Sequence, residues 1–419
     1  MNSNICIFED IFVTKLSPIN YLRHSSEIIC GANSLLQNTL LSISAKNKIV
    51  LHSRKYLSEY LSEKYPQFEI NNLNKQDCLF LNSRVLYNKK NLNKIIKFLN
   101  KNINTALVKG NSIIAFYTDK DKTEKYTEVI NKTDDNLVSL ADLEWLELEI
   151  IYADEIINDE LRIINYPSDL ILYFEERLIY DLNKLDKKRG SKKKILKSKS
   201  SKIHNKSDLD STAGNIFIGE NTIIEPQVYI KGPVYIGANS TIRAGSQIYG
   251  PSRIGSWCKI SGEITNTIIS DYVNKQHYGF LGHSYLCEWV NLGAGTTTSN
   301  LKNNYSEITL DIEGETVNTN SIFLGSIIGD HTKTGIQTML NTGTIIGISC
   351  NLYGAGYHNK KIKSFSWEDA SNNNKVTEYE LEKAIKTAKI SMARRKIELS
   401  KAYENMLRCL WEKRTENII

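Results

Sequence analysis

No apolar run in this 419-residue chain approaches the roughly 18 residues needed to cross a bilayer, so a membrane span is not expected. The first residues lack the basic-then-apolar plan of a secretion signal. The seven cysteines form no CxxC pair and cannot all be paired with one another, which points to a reducing cytoplasm and away from structural zinc. Strong charge imbalance is also missing: a net charge of +6 gives no reason to expect nucleic acid. After a first apolar strand at residues 5–8, the chain runs to Leu36 with one glycine, Gly31, and no G-x-G cluster. That leaves no loop of exposed backbone N–H groups to cradle phosphates. Where a third strand ends, at residue 81, the next residue is Asn82, and an amide is a poor substitute for a carboxylate that would hold Mg²⁺. What remains is ordinary globular composition, 41% hydrophobic and 24% charged, in a chain long enough for two or three domains.

What the sequence does have is a repeat. In steps of six, Ile218, Ile224, Ile230, Ile236, Ile242, Ile248, Ile254 and Ile260 are all isoleucine. After an irregular stretch the step resumes at Ile328, Thr334, Leu340, Ile346 and Leu352. A period of six fits neither a helix nor a two-sided strand. It predicts a parallel β-helix over residues 213–357, whose hexads point one aliphatic side chain inward and turn at small residues such as Gly219, Gly237 and Gly255.

Around this repeat, residues 1–185 alternate apolar runs at 5–8, 48–52 and 78–81 with helical patterns at 34–42, 56–64 and 92–99, then a hairpin at 105–117 turning at Gly110-Asn111. The alternation predicts an α/β domain with a parallel sheet. Arg23 and Lys15 are cations in it that could contact a phosphate, with Arg23 the candidate substrate-binding residue. Residues 186–212 are rich in Lys and Ser and free of aromatics, which predicts a basic flexible linker. In the tail, 358–419, a capping box at Thr377 and Glu380 precedes Leu381, Ile385, Ala388, Met392, Leu399, Tyr403, Met406 and Leu410, the seam of one long amphipathic α-helix interrupted at Arg395.

The irregular stretch carries H-x-x-F-L-G from His277, followed by VNLGAGTTTSN at 290–300. These motifs resemble the acetyltransferase half of the bifunctional N-acetylglucosamine-1-phosphate uridyltransferase / glucosamine-1-phosphate N-acetyltransferase family. FED…LSPI…R, LFLNSRVL, FLGSIIGDHTKTGIQTMLNTGT and a tail with SFSW and a later ARR are similar to a divergent bacterial branch of it. The resemblance implies a nucleotidyltransferase-like N-terminal domain, a left-handed hexapeptide β-helix, a homotrimer and acetyl-CoA as acyl donor. It implies Mg²⁺ only if the N-terminal domain is active, with a nucleoside triphosphate as its second substrate. His277, fourteen residues before Asn291, matches the family's general base, and Asn291 a residue that orients substrate or base. Arg243 and Asn300 match sugar-phosphate and motif-closing positions, and Gly293, Ala294 and Gly295 the contact for the acyl donor. The sequence departs from the pattern at Phe280, where the family has tyrosine, and around Ser261-Gly262-Glu263, where it has lysine, with Lys259 nearby.

The implied chemistry is N-acetylation of an amino-sugar phosphate. A neutral imidazole takes the amine's proton as it attacks the thioester, and backbone N–H groups of the Gly293–Gly295 turn hold the oxyanion. Two alternatives stay open: a sugar-phosphate nucleotidyltransferase whose β-helix only oligomerises or regulates it, and a non-enzymatic trimeric scaffold that binds a nucleotide sugar.

Overall fold

The structure is a computed structural model and describes residues 4–130, 135–157, 161–189 and 194–415. It divides into two compact units, one of Met1–Leu16, Leu22–Ile28 and Asn33–Tyr166, the other of Ser17–Tyr21, Ile29–Ala32 and Pro167–Ile419.

In the first unit, β1 (Asn4–Phe8), β2 (Ile49–His52), β3 (Glu69–Ile70), β4 (Cys78–Asn82), β5 (Thr105–Lys109), β6 (Ser112–Thr118) and β7 (Glu149–Tyr152) form one sheet. Its order is β3-β2-β1-β4-β6-β5-β7. Ile5, Ile7, Leu79 and Leu81 pack in a cluster on one face, and Cys6, Phe8, Cys78 and Phe80 in another on the opposite face. Burial on both sides is why β1 and β4 read as unbroken apolar runs. The strands β1 to β4 are parallel, and the expected hairpin is present: β6 runs antiparallel to β5, and also to β4. Two residues, Gly110-Asn111, join β5 to β6, and only antiparallel neighbours can be joined so tightly. Gly110 takes the positive φ, 54°, that such a turn requires.

The second unit contains the left-handed parallel β-helix. The hexad isoleucines sort onto three faces, because every third hexad returns to the same one. Ile218, Ile236 and Ile254 stack on the first face, Ile224, Ile242 and Ile260 on the second, Ile230 and Ile248 on the third. All eight are buried in one continuous core. The corner glycines are needed for close approach: a Cβ on Gly237 would lie 2.7 Å from the Gly255 carbonyl carbon, and one on Gly347 2.4 Å from the Ser364 nitrogen. Each coil therefore rests on the next with no room for a side chain between them.

The basic stretch expected as a linker is not a tether. The helix Phe174–Arg189 runs into it, and from Ile195 onward it forms the opening coil of the β-helix; its residues 190–193 lie outside the described residues. Ser198 N, Lys202 N and His204 N donate to Ile218 O, Thr222 O and Ile224 O at 2.9, 2.8 and 3.0 Å. Ile195, Ile203 and Leu209 pack on the core. Three apolar residues at hexad positions and a ladder to the next coil suffice to order a segment whose lysines face water. At the other end the coils continue past residue 357, to the strand Ser366–Asp369.

The tail is two helices, Leu381–Ala393 and Lys401–Thr415, rather than one. The break falls where the apolar seam was interrupted, with Lys396 at φ 60° and the N–H groups of Arg395 and Ile397 turning back to Met392 O. Thr377 lies in the strand Lys375–Glu378, so the expected capping box does not form, and Glu380 is the N-cap without a side-chain bond. The tail packs on its own β-helix: Tyr403 OH meets His331 Nε2 at 2.8 Å, and Arg414 Nε donates to Ser364 O at 2.8 Å.

Candidate active site on the beta-helix

On the second face, parallel register stacks the outward residues Thr241, Lys259, Asn274, Asn291 and Lys333 in a column. At the corner preceding it, Tyr272, Trp289 and His331 each adopt φ of 60–64°. Repeating that left-handed corner stacks the rings, Tyr272 parallel to Trp289 at 4.2 Å and Trp289 to His331 at 6.1 Å. The turn after the first tail helix brings Ser391, Arg394 and Arg395 against this column. The result is a cleft of about 250 Å³, lined also by Gln276 and Val290.

Four cations, Lys259, Lys333, Arg394 and Arg395, line the cleft, and its lining includes no carboxylate. Lys333 is held by His331 O at 2.8 Å, and burial pushes its ammonium down to about 8. The Asn274 amide donates to Asn291 Oδ1. Its own Oδ1 is buried without a hydrogen-bond partner among the described residues.

Behind the column, Lys275 occupies an inward position in register with Ile260, on the face that Ile224 and Ile242 also fill. It is 1% exposed. Its ammonium donates to Ser261 O at 2.9 Å and to His277 O at 3.0 Å, which ties two successive corners together. Burial pushes it, too, down to about 8. Between about pH 8 and about 10.5 the unfolded chain keeps protons on Lys275 and Lys333 that the folded chain has released, so stability rises with pH across that window. The expected gain is on the order of 1–3 kcal/mol, read as a higher urea midpoint at pH 9.5 than at pH 7.5. Lys275→Met should remove a good part of the rise, and a flat profile in the parent protein would count against both burials.

His277 follows Gln276 out of the cleft onto the next corner, where its ring is exposed. The ring does not line the cleft that contains Asn291. That corner stacks Tyr278, Ala294 and Gln337 on successive coils: Gly295 N donates to Tyr278 O at 3.0 Å and Gln337 N to Ala294 O at 2.7 Å. The expected oxyanion donors are mostly committed, since Gly293 N donates to Thr334 Oγ1 at 3.0 Å and Gly295 N to Tyr278 O. Of the three turn residues, only the Ala294 N–H has no acceptor among the described residues.

The other expected residues lie elsewhere. Arg243 pairs with Glu225, Nη1 to Oε1 at 3.0 Å. Asn300 donates to His283 Nδ1 at 2.8 Å, at a different corner, where His283 stacks on Phe323. Burial pushes His283 down to about 4, which keeps Nδ1 an acceptor. Arg23 is in the first unit, 6% exposed, with its carbonyl accepting from Arg54. Lys333, Lys275, Tyr272 and Trp289 did not emerge from the sequence; the residue just before each inward hexad position of the second face would have shown the column.

In the first unit, the ends of β1 and β4 are filled by ion pairs. Glu9 takes Arg54 Nε and Nη2 at 3.0 Å each. Asp10 takes Arg84 Nε and Nη2 at 2.7 and 2.6 Å and Asn82 Nδ2 at 2.8 Å. Among the described residues, no three His, Cys, Asp or Glu side chains cluster as metal ligands.

Both halves match known families. Residues 5–190 match the sugar nucleotidyl transferase family, and residues 215–250 the bacterial transferase hexapeptide repeats. The chain is similar to bifunctional transferases of the GlmU type. Over 102 residues it is 29% identical to the bifunctional sugar-1-phosphate nucleotidylyltransferase/acetyltransferase of Sulfurisphaera tokodaii, covering 24% of this chain and 25% of that one. Over 164 residues it is 38% identical to the bifunctional protein GlmU of Methanococcus maripaludis strain S2, covering 39% of each. The match to GlmU of Methanococcus vannielii is 37% over 95 residues, covering 23% of this chain and 22% of that one. These matched stretches span between about a quarter and two-fifths of the relatives' lengths. A segment matching hexapeptide-repeat transferases thus follows one matching sugar nucleotidyl transferases, and no helix among the described residues is long and apolar enough to cross a membrane.

Proposed function

We propose that this GlmU-like chain is an acetyl-CoA-dependent N-acetyltransferase acting on an amino-sugar phosphate such as glucosamine-1-phosphate, within sugar-nucleotide biosynthesis. The observation that carries the reading is the cationic cleft holding Asn291, whose lining residue Gln276 immediately precedes the exposed His277. The phosphate fixes the substrate in the cleft, and the amine reaches the corner. His277 takes a proton from the amine as nitrogen attacks the thioester carbonyl. The Ala294 N–H is the donor free to meet the oxygen that gains charge. Collapse of the adduct breaks the C–S bond, and the imidazolium returns its proton to the departing thiolate, so the base is regenerated and no covalent enzyme intermediate forms.

The active form in this reading is a homotrimer. Tyr278 and Ile336, 60% and 73% exposed, lie on the coils stacked at the His277 corner and would be covered by a second copy. Seven free cysteines, six of them buried, suit a cytoplasmic location.

Nucleotidyl transfer needs carboxylates for Mg²⁺, and the strand ends of the front domain do not fit that ion. Glu9 and Asp10 are committed to Arg54 and Arg84, and the adjoining position is Asn82.

The test incubates purified protein with acetyl-CoA and glucosamine-1-phosphate and follows free thiol. Release that depends on the sugar phosphate is expected, and its absence would overturn the reading. UTP, N-acetylglucosamine-1-phosphate and Mg²⁺ with pyrophosphate as the readout form the companion assay, in which release would assign nucleotidyl transfer to the front domain.

A further inference from the structure

We infer that the turn Arg394-Arg395, with Lys259 and Lys333, forms the binding site for the substrate's phosphate monoester, in place of Arg243. The inference deepens the acetyl-transfer reading and rests on it.

Three observations carry it. The first is the pairing of charges. Elsewhere in the second unit Arg243, Arg253, Lys361, Lys389, Arg408 and Arg414 each have a carboxylate within 3.5 Å. None of the four cleft cations has one within 4.0 Å among the described residues, although they share a single small space. Like charges gathered in a concave site repel one another, and a dianion is what relieves them.

The second is size and polarity. At about 250 Å³ the cleft is smaller than most coenzyme pockets and suits one sugar phosphate. The unpartnered Asn274 Oδ1 and the Asn291 amide are groups that hydrogen-bond sugar hydroxyls. The third is Arg243 itself. It lies outside the cleft lining, and its exposed guanidinium already has a carboxylate partner in Glu225, whose second oxygen also takes the Ala244 N–H at 3.0 Å.

Two sources could supply the phosphate: the amino sugar or the coenzyme of the acyl donor. The proposal commits to the sugar, and the test separates them. Arg394 is exposed and Arg395 half-buried, so the double variant Arg394→Gln/Arg395→Gln removes no core contact. It is expected to raise KM for glucosamine-1-phosphate about 10–100-fold while KM for acetyl-CoA stays within twofold. Lys333→Met should act in the same direction, and Lys383→Gln, on the exposed side of the tail helix, should change neither constant. A rise in KM for acetyl-CoA instead, or no rise in either, would overturn the assignment. Calorimetric titration with glucosamine-1-phosphate and with inorganic phosphate gives a readout that needs no turnover. If the parent protein binds and the double variant does not, the site stands even where the acetyl-transfer reading fails. If both bind alike, the site falls and that reading survives.

Discussion

Replacing His277 by alanine should lower acetyl transfer to glucosamine-1-phosphate by about 10²–10⁴-fold, the range expected when a general base is removed. The size of the effect follows from the reaction. An amine that attacks a thioester must shed a proton, and an imidazole is the side chain whose charge changes between pH 5 and 8. The structure makes the experiment clean. The ring of His277 is exposed, and its backbone carbonyl, which Lys275 holds at 3.0 Å, survives the substitution. No buried contact is lost, so stability should change by no more than about 0.5 kcal/mol. Activity and melting temperature are therefore expected to separate, with a large loss in kcat/KM and an unmoved transition. Asn291→Ala probes a different element, because Asn291 lies in the cleft and accepts from Asn274; its loss should weigh on KM for the sugar phosphate. A His277→Ala enzyme with more than a third of the parent rate would move the proton transfer to another group.

The inner surface of the β-helix was legible because packing admits few answers there. Glycine is required where successive coils touch most closely, and an inward position admits almost only aliphatic side chains, so isoleucine in steps of six reports the three faces directly. Lys275 shows where that logic stops. It sits inward like its neighbours, and nothing in composition reveals that two backbone carbonyls hold its ammonium. The cleft was only partly legible. Asn291 was found through its motif, whereas Lys333 and the Arg394-Arg395 turn are brought to it from 42 and 103 residues farther along by coil stacking and by the tail's reversal. That reversal depends on Lys396 adopting a left-handed conformation, which side-chain type alone does not announce. The basic stretch from residue 194 misled for a related reason. Its polarity is real, but three apolar side chains and a ladder to the next coil outweigh it. In the front domain the absent glycine loop was legible, while the charges that occupy its place, Glu9 with Arg54 and Asp10 with Arg84, lie far apart in sequence.

Those front-domain pairs give the second large expected effect. Arg84→Met should destabilise the first unit by about 3–5 kcal/mol, the cost of leaving one member of a buried ion pair uncompensated. Arg84 is 0% exposed. Besides the two bonds to Asp10 it donates to Ile164 O and Asn165 Oδ1 at 2.9 Å and to Ser112 Oγ at 3.1 Å. Methionine fills much of the volume but leaves the Asp10 carboxylate with only the Asn82 amide, and three further acceptors lose their donor. Urea denaturation combined with hydrogen exchange at the amides of β1 and β4 would locate the loss in this unit. The double variant Asp10→Asn/Arg84→Met removes both charges and should recover part of the stability, because a neutral pair carries no stranded ion. Acid provides an independent check on the neighbouring pair. Burial alone would raise the Glu9 carboxyl, but the Arg54 and His24 charges and the hydrogen bonds from Arg54 outweigh it and bring Glu9 down to about 2. Its contribution is thus fully present above about pH 4.5 and lost as pH falls towards 2, and Glu9→Gln should flatten that part of the profile. Should Arg84→Met cost less than about 1 kcal/mol, Asp10 must find solvent or a cation when its partner is gone, and the end of β1 would then be open enough to admit Mg²⁺ and restore nucleotidyl transfer to consideration.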